Sequence, residues 1–223
     1  MKVAIHQPQY HPWINYYIKI AKADIFVLLD DVQFQKNGLQ NRNKIKTMSG
    51  EMWITIPVKQ QLDQKIADIE SKGILWKKKH YNSILQNYKK SKIIFEDLYG
   101  NVYQNNVTNL SEINRNIIES TCKYFGIDTK IILQSELNPE GMKSDLITDI
   151  CNKLKCDTYI SGPGALSYLD EDDFRRNNIE IIVLENKTIK YNQYHPEIGF
   201  IQDLSTLDFI LSTKSLWQNH IKF

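Results

Sequence analysis

The sequence predicts an α/β fold of the Rossmann-like kind, a parallel sheet flanked by helices. Short apolar runs alternate with segments of helical periodicity along most of the 223 residues, and alternation of this kind produces a parallel sheet covered on both faces. Residues 2–29 alone contain a strand, a helix and a second strand, which form a short βαβ unit. We therefore expect a single α/β domain over residues 1–223, with residues 63–107 as a helical insertion or cap.

The first elements follow from local signals. A strand is predicted at Lys2–Ile5, and Pro8 ends it. Pro12 suits the first turn of the next helix, where a missing N–H leaves no bond unmade. That helix is predicted over Trp13–Ala23, with aromatic and aliphatic residues on one face. Asp24–Leu29 then forms a continuous apolar run, as expected of a buried parallel strand.

The remaining elements are predicted from the same two patterns. Further strands are expected at Met52–Val58, Lys130–Leu133, Thr158–Ile160 and Glu180–Leu184. Further helices are expected at Trp76–Tyr88, Leu110–Phe125, Ser144–Leu154, Asp170–Arg176 and Ser205–Ser212. Gly126 is expected to end the second of these helices, because glycine readily adopts the left-handed conformation that follows a helix.

Composition excludes several classes of protein. The chain has 28 basic and 26 acidic residues and a net charge of +2, whereas a dedicated nucleic-acid binder needs a basic excess. No apolar run is long enough for a membrane span, and the start of the chain has no signal-peptide pattern, so a cytoplasmic location is expected. The three cysteines show neither a disulfide framework nor a metal-binding spacing, and no metal site is predicted.

The segment between the first strand and the first helix carries the first candidate site residues. They are His6, Gln7, Tyr10, His11 and Trp13. Ligands of open parallel sheets bind beyond the carboxyl ends of the strands, and a histidine there can act as a base near pH 7. The alternative interpretation is a rigid turn shaped by two prolines and capped by the histidines.

Acidic residues follow the second strand. Asp30 and Asp31 could hold a ribose hydroxyl, a metal or an attacking amine at the sheet edge, and Gln33 follows them. A simple cap of the next turn is the alternative. We expect the segments near positions 10, 30, 44 and 163 to meet around one hollow at this edge.

Basic and amide residues follow directly. Arg42, Lys44 and Lys46 alternate, so an extended segment would direct all three to one face, with Asn41 beside them. Three cations on one face suit a pyrophosphate or carboxylate. A solvated surface loop is the alternative.

Two later segments complete the candidate set. A predicted strand leads into a Ser-Gly-Pro-Gly turn, where glycines allow a ligand close to the backbone, although a plain βα turn would look the same. The polar, aromatic tail lies outside the regular alternation, and irregular segments are often functional. The candidates here are Ser161, Gly162, Gly164 and Tyr168 in the turn and Tyr191 and His195 in the tail.

These blocks together resemble the WbqC-like family. The resemblance rests on Ile5–Tyr16 (IHQPQYHPWINY), Ala23–Phe34, Asn41–Lys46 (NRNKIK), Trp53–Val58 (WITIPV), Tyr159–Gly164 (YISGPG) and Ser205–Asp208 (STLD). It covers nearly the whole chain, and the opening block is specific. Asn15 stands where glycine is expected in the family, and the position of His6 is variable there.

The resemblance implies a setting and a class of substrate. Members are found among genes for O-antigen, a part of lipopolysaccharide, and for other bacterial surface polysaccharides, which implies work on a nucleotide-linked or lipid-linked sugar. A looser similarity to nucleotidyltransferase-like folds such as pantothenate synthetase is also present, but their His-x-Gly-His signature is absent from this chain.

The leading hypothesis from these observations is a transferase that adds an acyl or aminoacyl group to a nucleotide-linked amino sugar. Arg42 and Lys44 would hold the pyrophosphate, and Tyr10, Trp13 or Tyr168 would stack on base or sugar. His11 or Asp30 would be the base, while His6 could be catalytic or structural. The acyl donor could be acyl-CoA or a similar compound.

Two alternatives remain open at this point. One is an acyl-activating or nucleotidyl-transferring enzyme that uses ATP and Mg²⁺, with Asp30 or Asp31 near the metal. The other is a non-catalytic partner in glycan assembly, which would expose a large patch of Trp and Tyr. The sequence leaves the identity of the sugar and the oligomeric state, including a homo-oligomer, undecided.

Overall fold

The computed structural model describes residues 1–165 and 167–214. The chain divides into two compact units, which we name by their sheets. The parallel unit comprises Met1–Pro8, Asn15–Val32 and Ile127–Lys187. The hairpin unit comprises Gln9–Ile14, Gln33–Gly126 and the described residues from 188 onwards. The sequence-based view of one domain with an insertion at 63–107 stays a prediction.

The strands and α-helices are numbered in chain order. They are β1 (Lys2–His6), α1 (Ile14–Ala21), β2 (Ile25–Leu28), β3 (Arg42–Thr47), β4 (Gly50–Thr55), β5 (Val58–Lys59), β6 (Glu70–Ser71), α2 (Leu75–Asn87), α3 (Lys92–Gln104), α4 (Leu110–Phe125), β7 (Lys130–Leu133), α5 (Ser144–Lys153), β8 (Thr158–Ser161), α6 (Glu171–Arg176), β9 (Glu180–Val183) and α7 (Thr206–Thr213). Among the described residues, no helix is long and apolar enough to cross a membrane.

The parallel unit confirms the predicted α/β, Rossmann-like fold class. Its five strands are all parallel and follow the order β7-β2-β1-β8-β9. On one face, Ile150 of α5 and Phe174 of α6 pack in a common core with Val27 and Tyr159 of the sheet. On the other face, the Tyr16 ring of α1 packs 5.2 Å from that of Phe26. The sheet is therefore covered on both sides, which explains why its strands are apolar without alternation.

The strand order creates a topological switch at the centre of this sheet. The chain passes from β1 to β2 and β7 on one side, and then crosses to β8 and β9 on the other side of β1. In open α/β sheets, the crevice at such a switch, beyond the carboxyl ends of the two central strands, is where ligands bind. Here those strands are β1 and β8.

The hairpin unit contains an element that the sequence patterns misplace. The strand predicted at Met52–Val58 divides into β4 and the short β5, and neither belongs to the parallel sheet. Instead β4 pairs antiparallel with β3, from Arg42 opposite Thr55 to Thr47 opposite Gly50. Only two residues separate these strands, and so short a connection can join only antiparallel neighbours.

Helices α2, α3 and α4 also belong to the hairpin unit. The predicted bounds of α4 are confirmed. The helix begins and ends where it does because each end carries a cap. The Asn109 side chain accepts a hydrogen bond from the Glu112 backbone N–H at 3.0 Å, and Gly126 adopts a left-handed φ of 66°. The predicted insertion at 63–107 contains α2 and α3.

All three cysteines are free and buried. Cys122 lies in α4, while Cys151 and Cys156 pack in the core of the parallel unit. Burial raises the pKa of the Cys122 thiol to about 12. They act as small apolar side chains in these cores.

Candidate functional site

The switch of the parallel sheet is the first candidate site, because β1 and β8 separate there. Their pairing runs from Lys2 opposite Thr158 to Ala4 opposite Ile160 and no further. The next carbonyl of β1, that of Ile5, instead accepts a hydrogen bond from the Lys19 ammonium at 2.8 Å. Side chains at the end of β1 and backbone at the end of β8 therefore border a gap in the hydrogen-bond ladder.

His6 ends β1 at this gap. Its ring stacks on that of Tyr16 with centroids 4.9 Å apart, and its Nδ1 is buried without a hydrogen-bond partner among the described residues. Desolvation of the ring, together with the charge of Lys19, lowers the pKa of His6 to about 3. The imidazole is therefore neutral at pH 7 and has a nitrogen available to accept or donate a hydrogen bond.

Lys19 is a residue that sequence reasoning missed. It is the one charged residue of the eight-residue helix α1, and it is 8% exposed. Burial lowers its pKa from 10.5 to about 7. A single lysine in a helix that is otherwise uncharged and mostly apolar was the available signal, since such a lysine is seldom buried without a function or a partner.

The turn after β8 borders the same gap. Ser161 is fully buried, and its hydroxyl donates to the carbonyl of Gly162 at 3.0 Å. A Cβ at Gly162 or Gly164 would meet no atom within 4 Å, so open space lies beside both glycines. Tyr168 is 45% exposed. These observations place all four predicted residues of the turn in the parallel unit.

The two aspartates lie at the end of β2. Asp30 is buried, and its two carboxylate oxygens accept hydrogen bonds from the backbone N–H of Ser135 at 3.0 Å and from its hydroxyl at 2.9 Å. It therefore connects the ends of β2 and β7. Asp31 is partly exposed. The backbone carbonyl of Gln7, just beyond β1, accepts a hydrogen bond from the Tyr16 hydroxyl at 3.0 Å.

In the hairpin unit, Tyr10 and His11 belong to a buried hydrogen-bonded cluster. The Tyr10 hydroxyl lies 2.7 Å from the Tyr103 hydroxyl and 2.9 Å from Nδ1 of His80. Nε2 of His11 lies 2.9 Å from the same Tyr103 hydroxyl. Asn43 donates to the backbone carbonyls of Tyr10 at 3.2 Å and His11 at 2.8 Å.

Burial decides the protonation of this cluster. It lowers the pKa of His11 well below its usual value and that of His80 to about 4, and it raises the pKa of Tyr10 and Tyr103. All four groups are therefore neutral at pH 7. Each can donate to or accept from its neighbour inside the core without a charge.

The three alternating cations of β3 have different surroundings. The Arg42 guanidinium lies 4.3 Å from the centre of the Trp53 ring, and the Lys44 ammonium lies 5.1 Å from it. Lys44 also pairs with Glu51 at 2.7 Å. The Lys46 side chain is fully buried instead, and its ammonium donates to the Gly199 carbonyl at 2.5 Å.

A second buried cluster surrounds Asp208, which lies at the end of the predicted functional tail but was not itself named as a candidate site residue. Its carboxylate accepts hydrogen bonds from the hydroxyls of Tyr88 at 2.6 Å and Tyr191 at 2.7 Å. The Lys46 ammonium also donates to the side-chain oxygen of Gln193 at 3.1 Å. Burial raises the pKa of Asp208, an effect that its hydrogen bonds to the two tyrosines partly oppose.

The other predicted residues of this unit make local contacts. Gln33 donates to the Asp63 carboxylate at 2.7 Å, and the buried Asn41 donates to the Ile56 carbonyl at 2.9 Å. His195 faces Glu197, with Nδ1 3.3 Å from its carboxylate. Trp13 forms an isolated bridge with Ser205.

The predicted site residues thus fall into two groups. The parallel unit holds His6, Gln7, Asp30, Asp31, Ser161, Gly162, Gly164 and Tyr168. The hairpin unit holds Tyr10, His11, Trp13, Gln33, Asn41, Arg42, Lys44, Lys46, Tyr191 and His195. That all of them line one hollow stays a prediction. No group of three His, Cys, Asp or Glu side chains suited to a metal occurs in residues 1–165 and 167–214.

Comparison with known proteins identifies the family. The model of the WbqC-like protein family matches residues 7–216. The chain is 32% identical to uncharacterized protein Rv1507c of Mycobacterium tuberculosis, over 100% of this chain and 98% of that protein. No solved structure matches the chain. Because the family model covers nearly its whole length, the chain belongs to the WbqC-like protein family.

Proposed function

We propose that this chain is a transferase that binds a nucleotide-linked amino sugar at the switch of its parallel sheet and adds an acyl or aminoacyl group to the sugar's amine. The observation that carries the proposal is the strand order β7-β2-β1-β8-β9, whose topological switch lies between β1 and β8. Nucleotides bind at this position in doubly wound sheets. Such a reaction belongs to the tailoring of O-antigen and related surface polysaccharides.

The turn after β8 would receive the nucleotide part. Neither Gly162 nor Gly164 has a neighbouring atom where a Cβ would point, so a phosphate can approach the backbone closely. Tyr168, which is 45% exposed, is available to stack on a base or a sugar.

His6 is placed to orient the attacking amine, because its neutral imidazole has a buried Nδ1 without a partner among the described residues and can accept a hydrogen bond from the amine N–H. In the transfer, the amine nitrogen attacks the acyl carbonyl carbon, a C–N bond forms, and the bond between that carbon and its carrier breaks. The departing carrier takes up the proton that the nitrogen loses. Lys19 supports this role as a positioning residue, because its charge keeps His6 neutral and able to accept that hydrogen bond.

Binding is tested by calorimetry with UDP- and dTDP-linked amino sugars. We expect at least one to bind, and Gly162→Val to weaken binding by roughly tenfold or more because the new side chain fills the crevice. Its melting temperature should match the wild type, since a Cβ there meets no atom within 4 Å. Gly100→Ala in α3 is the matched control. Absence of binding to the folded chain, or equal binding by Gly162→Val, would refute the proposal.

The reaction itself is tested by mass spectrometry of that sugar incubated with acyl-CoA. We expect a product heavier by one acyl group, and a lower kcat in His6→Asn with little change in KM. Release of pyrophosphate from ATP without acyl transfer would replace this proposal by the acyl-activating or nucleotidyl-transferring alternative.

A further inference from the structure

The hairpin unit contains a cavity that the proposed function does not use. Its volume is about 340 Å³, and it is lined by Trp13, Leu39, Asn43, Lys44, Trp53 and Asp203. This volume lies within the range of cavities that hold small molecules. Two of its six lining residues are tryptophans, which bind ligands through their large flat rings.

Backbone hydrogen bonds build this cavity from three segments of the chain. Ser205 donates to the Lys44 carbonyl at 3.0 Å, which joins the segment before α7 to β3. Thr206 donates to the Pro12 carbonyl at 2.9 Å, beside the bridge between Trp13 and Ser205. The walls are therefore fixed by main-chain contacts, and the cavity needs little rearrangement to receive a ligand.

Trp53 is held in place yet remains open. It lies opposite Lys44 in the β3–β4 hairpin, and two cations contact its ring. Its side chain is nevertheless 41% exposed. The part of the indole that lines the cavity offers an apolar surface at little cost in conformational entropy.

The charges around the cavity offer no positive excess to a phosphate ligand, because Arg42 and Lys44 beside Trp53 are matched in number by the carboxylates of Glu51 and Asp203. The Lys44 ammonium is neutralised by Glu51 at 2.7 Å, and the Asp203 carboxylate adds a negative charge to the wall. The Asn43 amide is already used by the backbone of Tyr10 and His11. The polar groups left to a ligand are an acceptor on Asp203 and a donor on Lys44, which match hydroxyl groups.

We propose that this cavity is a saccharide site that holds a single uncharged pyranose ring between Trp13 and Trp53. The apolar C–H face of the sugar packs on the indoles, and its hydroxyls donate to Asp203 and accept from Lys44. All six lining residues belong to the hairpin unit, whereas the proposed nucleotide-sugar site belongs to the parallel unit, and this proposal does not depend on that function.

The test is saturation-transfer NMR with methyl glycosides of glucose, galactose, mannose, rhamnose and N-acetylglucosamine, with uridine monophosphate as a charged probe. We expect at least one glycoside to receive saturation from the wild-type chain. Trp53→Ala should weaken its binding by roughly tenfold or more, and Asp203→Asn by less. Leu62→Ala, at a 90% exposed apolar side chain of the same unit, is the matched control and should bind as the wild type does.

Three outcomes would overturn the proposal. They are no transfer to any glycoside in a folded sample, equal transfer in Trp53→Ala and wild type, and binding of uridine monophosphate alone that Trp53→Ala abolishes. Gly162→Val separates this inference from the proposed function. It should lose nucleotide-sugar binding and keep glycoside binding, so either site can fail without the other.

Discussion

Burial changes the protonation of single ionisable residues in this protein, and Lys19 is the clearest case. Its ammonium has a backbone carbonyl as partner rather than a carboxylate, and desolvation lowers its pKa to about 7. A group whose pKa is lower in the folded than in the unfolded chain makes stability depend on pH. The pKa of Lys19 therefore measures how completely its surroundings exclude water.

Lys19→Met should remove a part of that pH dependence. Between pH 7 and 10.5 the unfolded chain binds a proton on Lys19 that the folded chain has released, so wild-type stability rises with pH in this window. From pH 7 to 9 the free energy of unfolding of the wild type should rise by on the order of 2 kcal/mol more than that of Lys19→Met. Urea unfolding at both pH values measures it. Lys78→Met, at an exposed position of α2, is the control, and parallel pH curves for wild type and Lys19→Met would contradict the account.

His80 should make the stability of the folded chain depend on pH below neutrality. Its pKa falls from 6.5 to about 4 on folding, so the unfolded chain takes up a proton first as the pH falls, and stability is lost between pH 6.5 and 4. From pH 7 to 5 the free energy of unfolding of the wild type should fall by about 2 kcal/mol more than that of His80→Gln. Circular dichroism during urea titration measures this loss, with His195→Gln as control. An equal loss in His80→Gln would show that its imidazole stays solvated.

At the level of the element, side chains connect β3 to α7 in addition to the backbone hydrogen bond from Ser205 to Lys44. The Tyr88 hydroxyl accepts from the Lys46 backbone N–H at 3.0 Å and donates to Asp208 of α7 at 2.6 Å. The Tyr88 hydroxyl therefore forms hydrogen bonds to β3 and to α7 at the same time. A buried carboxylate that loses such a donor is left partly unsatisfied, which is costly.

Tyr88→Phe should therefore destabilise the chain by about 2 kcal/mol, because the ring still fills its place while the two hydrogen bonds are lost. Thermal and denaturant unfolding measure the change. Tyr81→Phe, which removes a hydroxyl from a more exposed ring of α2, is the comparison and should cost less. A Tyr88→Phe chain as stable as the wild type would mean that Asp208 finds another donor.

Elements whose ends carry their own signals could be predicted from the sequence. Helix α4 was predicted from periodicity and from the glycine that follows it, and both proved correct. The β3–β4 hairpin was missed because β3 alternates lysines with polar and apolar residues and therefore resembles a solvated loop. Its pairing partner, not its composition, makes it a strand.

At the scale of the molecule, the parallel sheet could be predicted because each of its strands is locally apolar and each helix follows its strand. The clusters around Tyr10 and Asp208 could not, since their partners lie far apart in sequence. Tyr103 is 93 residues from Tyr10, and Asp208 is 120 residues from Tyr88. The lone lysine of α1 was a usable signal, but a helix pattern does not show which carbonyl its side chain contacts, here that of Ile5.

The packing of the native thiols makes this chain convenient for site-directed labelling. Cys122, Cys151 and Cys156 are all buried, and a thiol inside a core reacts slowly with maleimides. A cysteine introduced at Leu62, which is 90% exposed, would therefore be the one rapidly modified position. Pairing it with a second label in the parallel unit would allow spin or fluorescence measurements of the distance between the two units, without first removing any native cysteine.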